Sequence, residues 1–210
     1  MTPEQFVQVD RFREEAYAVI DGWVSSAVAE TGPICRPGCT DCCEALVTVS
    51  FLEALIILRS DAGRAAFDRN QERIIDDANL FLARDPSTRL RPWKERGARC
   101  IFLRANNLCA VYEDRPFNCR THLAARRPCQ PGRDGNYYVD PIEATHTGLI
   151  LNQQGAEKVG IPFAVAPLPF ALVVADSILE VGIEKVKKTY VGTPFLDMMG
   201  SAMFWAYIEL

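Results

Sequence analysis

The sequence contains no apolar run long enough to cross a bilayer. Its most apolar stretch, IPFAVAPLPFALVVA over residues 161–175, falls short of the ~20 residues that a membrane helix needs. It also carries Pro162, Pro167 and Pro169, so it reads as a buried loop and a helix start. The opening residues, MTPEQFVQVDRFREE, are charged at once and lack the apolar segment of a secretory signal. Net positive charge is missing too: the chain carries −4, so no overall attraction to nucleic acid or anionic lipid is expected. P-loop, dinucleotide fingerprint and Ser-His-Asp arrangement are all absent, as are internal repeats, low-complexity tracts and Pro/Gly/Ser-rich linkers. A cytoplasmic protein without membrane or nucleic-acid partners is the expectation.

What is present is ordinary globular material. The chain has 210 residues, 49% hydrophobic and 24% charged, enough for one domain over residues 1–210 with a sizeable core. Thr2, Pro3 and Gln5 supply an N-cap, a proline at the first helical position and a capping-box partner. Phe6, Val9, Phe12, Ala16, Val19, Ile20, Trp23 and Ala27 then recur at three and four residues, predicting a long first helix. ALVTVS reads as a short strand, and Ser50 with Glu53 as the capping box of the helix FLEALIILRS. Residues 62–84 predict one helix, and CIFLRANNLCAVY a hairpin turning at Ala105, Asn106 and Asn107. Residues 113–136 are rich in Arg, Pro and Gly and read as irregular. Further helices are expected over 141–154, 169–188 and 195–210, the last apolar almost all round and assigned to the core. The fold class expected is mainly α: a single helical domain with a small β-hairpin and cysteine-rich metal-binding loops. The cysteine region covers about 35–129 and a C-terminal helical part about 140–210.

Eight cysteines fall in two groups. Cys35, Cys39, Cys42 and Cys43 stand in a run broken by Gly38 and Pro37; Cys100, Cys109, Cys119 and Cys129 follow within thirty residues. Under reducing conditions such clusters point to metal rather than disulfides. Soft thiolates on short loops suit zinc and iron–sulfur clusters alike. Adjacent side chains in extended backbone point opposite ways, so Cys42 and Cys43 serve different ions, or only one of them is a ligand. Eight thiols suffice for two four-thiolate sites, or for one such site with spare thiols. Cys129 stands apart in an RPCQPG turn. Cys35, Cys39 and Cys42 also match the CxxxCxxC spacing that holds a 4Fe–4S cluster with one open iron, but the chain lacks the repeated strand–helix pattern of the barrel that usually carries it.

Residues 84–133 hold twelve basic residues against four acidic ones, a local +8 in a chain of −4. Guanidinium groups there would neutralise thiolates, position an anionic substrate, or simply face water. Arg115 and Arg120, nearest Cys119, are the candidate cofactor-binding residues. His122 makes a CxxH pair with Cys119, a zinc spacing, or is an ordinary loop histidine. His146 is read as a packed or surface residue, and Tyr112 as a core tyrosine with a satisfied hydroxyl in preference to a donor to a cluster sulfur.

CRPGCTDCC, followed by CIFLRANNLCAVYEDRPFNCR with Cys100, Cys109, Tyr112, Arg115, Pro116, Cys119 and Arg120 in their places, resembles the YkgJ-like cysteine-cluster family, also called the CxxCxxCC family. The resemblance covers roughly residues 35–125 and implies a zinc- or iron-chelating domain of a bacterial cytoplasmic protein. A related branch, the flagellin lysine methylases, carries the motif in a longer chain and implies S-adenosylmethionine as cosubstrate; no nucleotide loop is visible here. Three readings stay open. One is a metal or iron–sulfur binding protein; another is an iron–sulfur enzyme acting on a protein or small anionic substrate; the last is a metal-folded module for a protein partner.

Overall fold

The two short strands of this protein each lead directly into a buried helix, and that pairing organises the chain. The computed structural model describes residues 1–31, 38–40, 43, 46–81, 99–122 and 142–190. The elements are α1 (Pro3–Thr31), β1 (Thr48–Ser50), α2 (Phe51–Arg59), α3 (Asp61–Arg69), α4 (Gln71–Phe81), a 3-10 turn (Tyr112–Asp114), α5 (Phe117–Thr121), α6 (Ile142–Val159), β2 (Val165–Pro167), α7 (Leu168–Val181) and α8 (Ile183–Tyr190). The architecture is mainly helical with one small antiparallel sheet, as expected. The helix expected over 195–210 lies outside the described residues.

Both capping boxes read from the sequence are formed. Thr2 N–H donates to Gln5 Oε1 (2.9 Å) and Gln5 N–H to Thr2 Oγ1 (3.2 Å). Ser50 and Glu53 do the same at the start of α2, at 2.8 and 3.0 Å. These bonds satisfy N–H groups that a helix start leaves without partners.

β1 pairs with β2 in the register Thr48↔Pro167, Val49↔Ala166, Ser50↔Val165. Leu168 N–H to Val47 O and Phe51 N–H to Ala164 O extend the ladder at either end. Pro167 sits at its margin, where its missing N–H costs no ladder bond. The ladder brings together the starts of α2 and α7, which then pack on each other. Residues Phe51–Leu58 of α2 are all buried, as are Leu168–Leu172, Val174, Ala175 and Ile178 of α7. Val9, Phe12, Ala16 and Ile20 turn one stripe of α1 onto this core.

Two predicted helices are divided. The helix expected over 62–84 breaks into α3 and α4 at Asn70, whose side chain donates to Ala66 O (2.7 Å) while its backbone N–H donates to Phe67 O. The helix expected over 169–188 breaks into α7 and α8 at Gly182, which stands at φ +87°, a conformation that favours glycine. The helix expected over 141–154 runs on to Val159. The hairpin expected over 100–112 takes the form of one antiparallel bridge, Leu103↔Cys109, with Asn107 at φ 62° in its turn. Asparagine tolerates that left-handed geometry better than most residues.

Helices α1 and α6 meet so closely at Gly155 that a Cβ there would overlap the Phe12 ring and stand 2.7 Å from Leu52 Cδ2. Gly155→Ala is therefore expected to lower stability by about 1–3 kcal/mol through overpacking, despite alanine's better helix propensity. Urea unfolding checks this; an unchanged or raised midpoint would contradict the close approach.

Candidate metal centre

Cys39 follows Gly38, whose φ of +86° turns the chain sharply. Cys43 N–H then donates to Thr40 O (2.8 Å), and Cys43 O accepts the N–H of Cys100 (2.7 Å). The two cysteine groups, separate in sequence, are thus joined backbone to backbone at a cysteine of each. Side chains reinforce the corner: Arg99 Nη2 donates to Thr40 Oγ1 (3.2 Å), and Arg73 Nη2 of α4 donates to the Arg99 carbonyl. Arg73 also faces buried Asp77 at 3.4 Å. From Cys100 the chain enters the turn that carries Cys109, held by Ala110 N–H to Phe102 O (2.7 Å) and Arg104 N–H to Leu108 O (2.9 Å). Cys100 and Cys109 both pack against the core.

Cys119 sits on α5, and its neighbours are fastened to other parts of the fold. Phe117 N–H donates to Glu53 Oε1 (2.6 Å). Asn118 Nδ2 donates to Thr48 O (2.7 Å) and Thr48 Oγ1 (3.0 Å). Arg120 Nη1 donates to both oxygens of Asp21 (2.6 and 2.7 Å), its Nε to Arg115 O (2.9 Å) and its Nη2 to Glu113 O. Its guanidinium also lies 4.2 Å from the centre of the Tyr17 ring. Arg115 bonds Tyr112 O through Nε (3.0 Å) and stacks over the Tyr112 ring at 3.6 Å.

The first helix grips this stretch by a stripe spaced four residues apart, the spacing that puts side chains on one helical face. Arg13 donates to Asp114 Oδ1 (2.6 Å), Tyr17 meets Phe117 edge-on at 5.2 Å, and Asp21 takes Arg120. The bond to Asp114 raises the Arg13 pKa. Burial pushes the Tyr17 phenol well up, with the nearby Glu53 charge adding to it, so the ring stays neutral. Burial likewise raises the Glu53 carboxyl, while the N–H groups of Phe117 and Ser50 pull it back.

Cys39, Cys43, Cys100, Cys109 and Cys119 are all half-buried. Cys35, Cys42 and Cys129 lie outside the described residues. Among the described residues no three Cys, His, Asp or Glu side chains form a group that would hold a metal ion by themselves. The donor set nonetheless suits a thiophilic metal: half-buried cysteines on short turns and on α5, with arginines in the same segments. His122 is half-buried just past α5, and His146 lies on the surface of α6. Tyr112, expected in the core, is 55% exposed; it starts a 3-10 turn at the surface and serves as the platform for Arg115. Sequence reading treated Glu53 only as a cap and passed over Arg73, Asn118 and Asp21. Their roles depend on partners far along the chain. Only the four-residue stripe on α1 left a local trace.

Arg120→Lys keeps the charge but loses the planar fork that reaches Asp21 and two carbonyls. It is expected to lower stability by about 1–3 kcal/mol, the range for buried polar groups left without partners. A urea midpoint matching the wild type would show these contacts to be incidental.

The match to known families falls on the same stretch: the family model described as CxxCxxCC, a putative zinc- or iron-chelating domain, matches residues 34–141. No curated protein and no solved structure matches the chain. The matched span covers half of the sequence and takes in all eight cysteines, and on that ground the chain belongs to the CxxCxxCC family, whose description assigns it metal chelation.

Proposed function

We propose that the protein chelates zinc or an iron–sulfur cluster through Cys35, Cys39, Cys42, Cys43, Cys100, Cys109 and Cys119, with Cys129 and His122 as reserve ligands, and that it works in the cytoplasm. The observation that carries this reading is the 2.7 Å bond from Cys100 N–H to Cys43 O. It joins the backbones of cysteines from two distant segments at one corner, which supports a site that draws ligands from both. Half-burial of the described cysteines supports a site partly shielded from water.

The charge pattern supports the same reading. A four-thiolate zinc site carries a formal −2, and cations beside it favour the thiolate form. Arg99 and Arg73 stand at the Cys43–Cys100 corner, Arg73 with Asp77 beside it, so Arg99 is the candidate to supply that charge. Arg120 contributes through the fold, since its bonds go to Asp21 and to two carbonyls. A bound metal would supply Lewis acidity or, as a cluster, electron transfer. The chain's own residues hold the thiols in place and screen their charge.

Metal content and the ultraviolet–visible spectrum of protein purified without oxygen test the reading. Iron with acid-labile sulfide and absorbance near ~400 nm is the cluster outcome; about one or two zinc ions in colourless protein is the zinc outcome. Because ligands come from both segments, stripping the metal is expected to lower the melting temperature by several degrees. Protein that carries neither metal, and whose melting temperature ignores chelators, would overturn the proposal. Cys43→Ser and Cys100→Ser are each expected to reduce bound metal in the same assay.

A further inference from the structure

Helix α2 is buried along all but its last residue, and one residue in it is out of character. Phe51, Leu52, Ala54, Leu55, Ile56, Ile57 and Leu58 are apolar and buried; Glu53, in their midst, is only 3% exposed. A carboxylate in such a place carries a desolvation cost that an apolar residue would avoid. The capping box accounts for one of its oxygens, Oε2, which accepts Ser50 N–H at 2.8 Å. Capping has no use for the other. Oε1 accepts Phe117 N–H at 2.6 Å, across 64 residues of sequence.

Each of those N–H groups belongs to a segment that leads to cysteine. Ser50 ends β1, the strand that follows Cys43, and Phe117 opens the helix that carries Cys119. A second tie runs beside the first, from Asn118 Nδ2 to Thr48 O at 2.7 Å. Ser50 is anchored in turn by its hydroxyl, which donates to Asn152 Oδ1 of α6 at 2.6 Å. The carboxylate therefore fixes how far Cys119 stands from the strand that continues the first cysteine run. Groups that hold ligands in place from outside the coordination shell commonly govern metal affinity by 10–100-fold.

We propose that Glu53 is a positioning residue for metal chelation, which sets the placement of Cys119 relative to β1, the strand after Cys43, by accepting Ser50 N–H and Phe117 N–H on its two oxygens. This rests on the chelating function proposed above.

The test uses the full chain, freed of metal under reducing conditions and titrated with Co(II), whose thiolate charge-transfer and d–d bands report ligand number and geometry. Glu53→Gln keeps the side-chain length but presents one acceptor and one donor to two N–H groups. Glu53→Asp keeps both acceptors on a shorter arm that reaches only one of the two. Ile183→Ala, at a buried residue of α8 that belongs to neither segment, is expected to lower stability and serves as the control.

Both Glu53 variants are expected to bind Co(II) about tenfold more weakly or worse, with altered d–d intensity. Ile183→Ala is expected to melt earlier yet bind as the wild type does. If either folded Glu53 variant matches wild-type affinity and spectrum, Glu53 is a cap and core residue only. Should one variant not fold, the other decides. Wild-type protein that shows no thiolate–Co(II) band would overturn the chelating function itself, a result distinct from loss in the variants alone.

Discussion

A carboxylate surrounded by hydrocarbon has to be answered by hydrogen bonds, and in this protein the answer ties four elements together. Glu53 receives N–H groups from the end of β1 and from the start of α5, and Ser50 beside it bonds α6 through Asn152. The apolar packing of α2 on α7 lies at the heart of the core, but hydrophobic burial is non-directional. Hydrogen bonds of fixed length and angle are what give the α5 segment a single place on that core.

The family-matched span and the rest of the chain are physically interdependent. Residues 34–141 match the family model, while α1 and α6 to α8 lie outside it. Yet Arg13, Tyr17 and Asp21 on α1 hold Asp114, Phe117 and Arg120 within it, and β2 completes the sheet that β1 begins. The cysteine segments are thus seated on a scaffold contributed by both ends of the described chain. That arrangement explains why the cysteine motif alone would be too small and too irregular to bury a core of its own.

Much of the fold was legible because it is written in local chemistry. The Thr2–Gln5 and Ser50–Glu53 boxes, the apolar run of α2 and the turn at Asn106–Asn107 each depend on residues close together in sequence. The break at Asn70 was not legible, since asparagine in a helical pattern signals a cap only when its side chain turns back to a carbonyl, as it does to Ala66. Tyr112 was misassigned because an apolar neighbourhood in sequence, ending in Val111, gives no sign that the next residue begins a surface turn. For the candidate centre, residue types were readable and partnerships were not. Arg120 looked available for an anion from its position beside Cys119, while Asp21, to which it binds, lies 99 residues away.

Those separations bear on the order in which the chain comes together. The bonds that seat α5 span 64, 70 and 99 residues. Loops of such length close late, because their entropy must be lost before any contact rewards it. Cys35, Cys39, Cys42 and Cys43 need no such closure, being neighbours from the moment of synthesis. For the proposed centre this means that a chain still emerging and unfolded offers an arriving ion the first cysteine run alone, and Cys119 only after the hydrophobic core has formed. Ligand recruitment then follows the folding pathway, and an ion captured early has to be held loosely enough to accept its later ligands.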